Sequence, residues 1–196
     1  MPTNTVSAFS RRDLLIGSRK LSVAGLAVMA GVGTAGFGRA ALAAVDTSKD
    51  IQTLNTALGT EHQAIGAYQV GADSGLLKQP ALNIALLFQS HHKSHRDELS
   101  SAIQKLGGTP VTAHSTGDYG KELNASMLKT QNDFLELALK LELGAANAYI
   151  NIIPSFENRD FAKLSARVLA DESMHWTALA STLAHPLPAN AMFFGS

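Results

Sequence analysis

Beyond the first 44 or so residues, apolar positions recur at steps of three and four, and no stretch shows the alternation of a β-strand. The first stripe runs Ile51, Leu54, Leu58, Glu61, Ile65, Tyr68, with one carboxylate in the middle of an apolar seam. Thr47-x-x-Asp50 has the form of a capping box and is expected to open this helix. Ser74 to Pro80 reads as a turn. A second helix is expected through Ala81, Ala85, Phe88, His92, His95, Leu99, Ala102 and Leu106, with two histidines in its seam. Gly107-Gly108 and Pro110 end it.

A polar stretch then runs to about Asp118. At ~3.3 Å per residue it can cross the length of a helical bundle. The third helix is expected from about Tyr119 to Ile152, with Leu128, Leu135, Leu139, Glu142, Ala146 and Tyr149 on one face and Leu137 and Leu141 widening it. Pro154 stops it. A fourth helix carries Phe161, Ser165, Val168, Glu172, His175, Leu179 and Thr182 and ends before Pro186. The tail, with Met192-Phe193-Phe194, is expected to fold back or to meet a partner. The fold class predicted is all-α: a four-helix bundle of two antiparallel hairpins joined by a crossover.

The polar positions in these seams repeat. Glu61-His-Gln-Ala-Ile-Gly-Ala-Tyr68 matches Glu142-Leu-Gly-Ala-Ala-Asn-Ala-Tyr149, and His92-Lys-Ser-His95 aligns with Glu172-Ser-Met-His175. Within each hairpin the Glu and the later pair lie at similar distances from the turn centre. Antiparallel packing at ~1.5 Å per residue then brings them to one height, within about a turn. Two hairpins place Glu61, His92, His95, Glu142, Glu172 and His175 in one layer of the core. A lone buried carboxylate or imidazole costs several kcal/mol unless it is paired or ligated. Mutual hydrogen bonds can neutralise such a layer. A divalent metal does so better, and a gap of three puts both side chains of Glu-x-x-His on one helical face.

Composition narrows the chemistry. Cysteine is absent, so disulfides, thiolate nucleophiles and iron–sulfur clusters are excluded, and any metal is held by oxygen and nitrogen. Of the 16 Lys and Arg and 16 Asp and Glu, five basic residues and one acid fall in the first 44 positions, which leaves the remainder at a formal −4. No basic patch points to nucleic acid.

The early basic residues include Arg11-Arg12, followed by a Gly- and Ala-rich stretch from about Leu21 to Ala43 and the small-residue motif Ala41-Leu42-Ala43. This resembles a bacterial twin-arginine export signal. The glycines, Arg39 and the cleavage motif argue against a permanent anchor. The organisation expected is a signal over 1–44, a bundle over 45–185 and a tail over 186–196, with export by the twin-arginine machinery to the periplasm or cell envelope.

From about Thr47 to Ala184 the chain resembles the ferritin-like superfamily, which includes bacterioferritins, rubrerythrins and manganese catalases. In that family two helices each give a Glu and two give a Glu-x-x-His. Glu61 and Glu142 match the single-Glu positions, Glu172 and His175 match one Glu-x-x-His, and His95 matches the His of the other. The resemblance implies metal ions, one or two per chain, with iron first and manganese or zinc as alternatives. It also implies Tyr68 and Tyr149 near the ligands as hydrogen-bond or redox neighbours, where the plain alternative is two core tyrosines.

His92 departs from the pattern, which wants a bridging Glu there. A neutral imidazole has one free lone pair and cannot bridge, and one negative charge is lost. Three outcomes follow: two metals bridged by Glu172 alone, one metal, or loss of oxygen chemistry. Glu98 and His91 are the substitutes within reach. The resemblance implies an oxidoreductase acting on peroxide, oxygen or ferrous iron. The alternatives are a metal-binding or storage protein, alone or as a homo-oligomer, or a scaffold without catalysis.

Overall fold

In the computed structural model, residues 47–195 are described. The expected export signal lies outside the described residues. All regular elements among the described residues are helical. They are α1 (Ser48–Asp73), α2 (Ala81–Lys105), α3 (Thr116–Glu122), α4 (Gln131–Ile152) and α5 (Arg159–Thr182), with short 3₁₀ turns at Ala125–Met127 and Ile153–Ser155. The long helices α1 and α2 form one hairpin and α4 and α5 the other, joined by the crossover that carries α3. No helix among the described residues is long and apolar enough to cross a membrane.

The buried seams follow the sequence stripes. At one end Leu54, Leu58, Leu99, Ile103, Tyr149 and Val168 pack together. At the other, Tyr68, Leu77, Phe88, Phe134, Leu135 and Leu179 do so. On every long helix the polar seam residues lie between these two clusters. Thr182, expected in the seam, is exposed.

The expected third helix is broken. Its first part is the separate α3, and Asn124 in the left-handed region (φ 53°) turns the chain away from it. Helix α4 begins anew at Thr130. The Thr130 hydroxyl accepts from the Asp133 amide, and the Asp133 carboxylate accepts from the Thr130 amide at 2.8 Å. The sequence Thr-x-x-Asp before an apolar run was the legible signal for this start. Tyr119 of α3 packs closely on α1 at Gly66, where a Cβ would come within 2.2 Å of its ring.

The other Thr-x-x-Asp behaves differently. Thr47 makes no side-chain cap, and Asp50 is buried. Its two carboxylate oxygens accept from the amides of Glu157 and Asn158, at 3.0 and 3.1 Å, and so clamp α1 to the α4–α5 turn. Hydrogen bonds to a charged acceptor contribute about 1.5–3 kcal/mol each. Asp50→Ala is expected to cost about 2–4 kcal/mol by urea unfolding, since it leaves two amides without a partner. A cost below about 0.5 kcal/mol would show that the clamp carries no stability.

The tail folds back. Phe193 and Phe194 pack on Trp176 with ring centroids 5.0 and 5.5 Å away, and the Gly195 amide donates to Asn147 at 2.7 Å.

Candidate metal centre

Glu61 comes from α1, His92 and His95 from α2, Glu142 from α4, and Glu172 and His175 from α5. None is more than 7% exposed. The structure brings all six together. They form two overlapping donor sets, Glu61–His92–His95–Glu172 and His92–Glu142–Glu172–His175, each with one ligand atom per residue within 4.8 Å of the others. His92 and Glu172 belong to both.

The donors point inward in pairs. His95 Nδ1 lies 3.4 Å from Glu61 and 3.2 Å from Glu172 Oε1. His175 Nδ1 lies 3.3 Å from both Glu142 and Glu172 Oε2. Each oxygen of Glu172 therefore faces a different set. Neither completes a well-formed hydrogen bond, and His95 Nδ1 is likewise unsatisfied. Buried polar atoms are rarely left so, and here the orphaned atoms are the ones a bridging carboxylate and a ring nitrogen would use to hold metal. Three carboxylates and three imidazoles suit iron, zinc or copper better than magnesium or calcium.

The outward nitrogens are braced. His95 Nε2 is 3.1 Å from Asp171 and His175 Nε2 is 2.9 Å from His91 Nδ1. His91 thus backs the His175 ring from outside instead of replacing His92, and Glu98 is exposed outside both sets. Asp171 escaped the sequence reading, although the repeat places it opposite His91. The tyrosines cross between hairpins: Tyr68 Oη donates to Glu142 and Tyr149 Oη to Glu61. Both are buried, so their packing and their bonds to the carboxylates are two parts of one role. Of the remaining histidines, His62 bonds the carbonyl of Val111 at 3.1 Å, and exposed His114 and His185 pair with Glu122 and Glu136.

Burial and mutual pairing set the charges. Burial opposes ionisation of Glu61, but the hydrogen bond from His92 and the neighbouring His95 ring outweigh it and hold the carboxyl down at about 2. Glu142 is lowered against its burial by His175 and His92. Burial likewise works against charge on His92 and His95, yet their carboxylate partners raise His92 well above 6.5 and push His95 up to about 10. His175 is raised by Glu142 and Glu172 against burial. At Glu172 burial wins, and its carboxyl is raised. Burial, then the neighbouring carboxylates, raise both tyrosines.

These directions predict a pH profile. The raised histidines stabilise the metal-free fold below their usual 6.5 and lose that contribution as pH climbs toward about 10. Raised Glu172 acts in the same sense from 4.5 upward. Lowered Glu61 stabilises above 4.5 and loses its contribution as pH falls toward about 2. The metal-free protein should therefore be most stable between about pH 4.5 and 6.5. Metal must displace the ring protons, so apparent affinity should rise with pH over the alkaline limb. Denaturant midpoints and metal titrations from pH 4 to 10 check both, and a metal affinity flat in pH would contradict protonated rings at the site.

A groove between α2 and α5, lined by His91, His95, Glu98, Arg167 and Asp171, reaches the layer from outside. A smaller recess at Thr60, Gln63, Tyr68, His92 and Glu142 reaches it from the α1–α4 side.

Similarity to known proteins agrees with this arrangement. One crystal structure with a similar fold is that of a conserved hypothetical protein, rv2844, from Mycobacterium tuberculosis. It is 23% identical, with a TM-score of 0.62 over 74% of this chain and 97% of that one. No curated protein matches the chain. The ferritin-like domain family matches over residues 49–185, the span of the bundle with its whole polar layer. The chain belongs to the ferritin-like domain family.

Proposed function

We propose that this is an exported metalloprotein that holds two ions in its core and acts as an oxidoreductase on peroxide, oxygen or ferrous iron. The observation that carries the reading is Glu172, fully buried between two donor sets with both oxygens unsatisfied. Iron is the first candidate, with manganese or zinc as alternatives, because the donors are carboxylate and imidazole only. Bound redox metal would supply the electron exchange. The chain's own residues would do the rest. Glu61, His95, Glu142 and His175 hold the ions, and Asp171 and His91 orient the two rings from behind, as outer partners of metal-ligating histidines do. Tyr68 and Tyr149 fix the two terminal carboxylates. The α2–α5 groove is the route by which small solutes reach the layer.

A metal-binding or storage role without turnover is the second reading. It is favoured by the depth of the donors, four of which are no more than 1% exposed: Glu61, His92, Glu172 and His175. Elemental analysis of the exported protein tests both readings. About two ions per chain with turnover of peroxide or Fe(II) supports the first, the same content without turnover supports the second, and no bound metal removes both. Export is tested separately. Replacing Arg11 and Arg12 together by Lys is expected to leave the protein in the cytoplasm. Unchanged appearance in the envelope fraction would rule out the twin-arginine route.

A further inference from the structure

In the repeat, His92 stands where the second hairpin has Glu172, and it is 1% exposed in the middle of the layer. Its ring lies between the two donor sets and meets each with a different nitrogen. Nδ1 is 2.9 Å from Glu61 and 3.6 Å from Glu172 Oε1, while Nε2 is 3.2 Å from Glu142. The orientation is held from three sides. Tyr68 stacks on the ring at 5.6 Å, and the rings of His95 and His175 meet it edge-on at 5.8 and 5.3 Å. Rotating the ring would take a nitrogen from both carboxylates at once.

Charge supplies a second argument. Glu61, Glu142 and Glu172 bring three negative charges to the layer, one short of two divalent ions. An imidazole that has given up both ring protons carries the fourth. It also has two lone pairs, one at each nitrogen, which is what a neutral ring lacks.

We propose that the His92 ring bridges two metal ions. One is held by Glu61, His95 and His92 Nδ1, the other by Glu142, His175 and His92 Nε2, and Glu172 offers one oxygen to each. As the two metal–nitrogen bonds form, both ring protons pass to solvent, and nothing is oxidised or reduced. This deepens the two-ion reading above and rests on it. Two-metal sites joined only by oxygen ligands set ions about 3.5–4 Å apart, and a carboxylate such as Glu172, with one oxygen for each ion, can open to follow a longer bridge. A ring with a metal–nitrogen bond of ~2.0–2.1 Å on each side sets them about 6 Å apart.

The test uses Zn(II), which is redox-silent. Crystals of the zinc-loaded protein, wild type and His92→Glu, are measured at the zinc absorption edge to place the ions. In wild type two zinc ions about 6 Å apart, with the His92 ring between them, are expected. In His92→Glu a contraction to about 3.5–4 Å is expected. Cu(II) loading gives a solution readout on wild type alone: a magnetically coupled copper pair, with loss of most of the isolated-ion EPR signal at two equivalents. Two ions about 3.5–4 Å apart in wild type would overturn the bridge. So would one ion bound through a single His92 nitrogen, and either result would leave a metalloprotein standing. If zinc, copper, iron and manganese all fail to bind, the metal reading itself falls and the bridge with it.

Discussion

Glu172→Ala should abolish metal binding at both positions and with it the metal-dependent part of the protein's stability. A ligand that binds only the folded state at 100 times its dissociation constant adds about 2.7 kcal/mol. For a domain of this size that raises Tm by roughly 5–10 °C. Wild type should show this rise on titration with Fe(II) or Zn(II), and Glu172→Ala should show none. One substitution empties both donor sets because Glu172 is shared, each of its oxygens facing a different histidine. Replacing Glu61 or Glu142 alone removes a donor from one set only, so partial uptake is expected there. The metal-free variant should still fold. Burial already holds the Glu172 carboxyl above its ordinary range, and its charge is a cost to the empty site. Scanning calorimetry with and without metal decides the matter. An undiminished metal-induced shift in Glu172→Ala would mean that metal binds elsewhere.

The largest loss of intrinsic stability is expected at Phe134. Phe134→Ala should cost about 3–5 kcal/mol in the metal-free protein, read from the urea midpoint at unchanged slope. Phe134 is 1% exposed and fills the space above Gly71, where a Cβ would lie 2.2 Å from its ring. The two residues are matched: a bare backbone on α1 admits a large ring from α4. Phe134 also meets Tyr68 edge-on at 6.1 Å, and Tyr68 holds Glu142. Removing the ring frees Tyr68 to shift, so metal affinity should fall as well, by roughly the 10-fold that loss of an outer partner brings. A cost under about 1.5 kcal/mol would mean that the site collapses onto the vacated space.

Much of this architecture was legible in one dimension. Steps of three and four marked the long helices, and Gly107, Pro110 and Pro154 marked their ends. The duplicated Glu…Tyr and x-x-x-His patterns showed two hairpins, and counting residues to the turns placed six polar groups at one height. These inferences work because helical rise and periodicity are local properties, set by backbone geometry whatever the surroundings.

The misreadings share a cause. Thr47-x-x-Asp50 and Thr130-x-x-Asp133 are the same signal, yet one is a capping box and the other is a clamp on a turn 107 residues away. A carboxylate next to a helix start satisfies whichever amides reach it, and those of Glu157 and Asn158 come near Asp50 only after the hairpins dock. Leu128 fitted the stripe of a longer third helix, but Asn124 and the Thr130 cap lie inside that run and break it. The outer partners were hidden for the same reason. Asp171 is half-exposed and looks like an ordinary surface acid until α2 brings His95 to it.

Chain order therefore settled the helices, the hairpins and the inventory of the polar layer, all of which depend on spacing along one strand of backbone. It could not settle how His92 turns its ring, which oxygen of Glu172 meets which histidine, or which tyrosine serves which carboxylate. Apart from Glu172 with His175, one turn along α5, those pairings join residues 31 to 88 positions apart. They exist only because four helices pack at a separation that side-chain volumes on all of them set together.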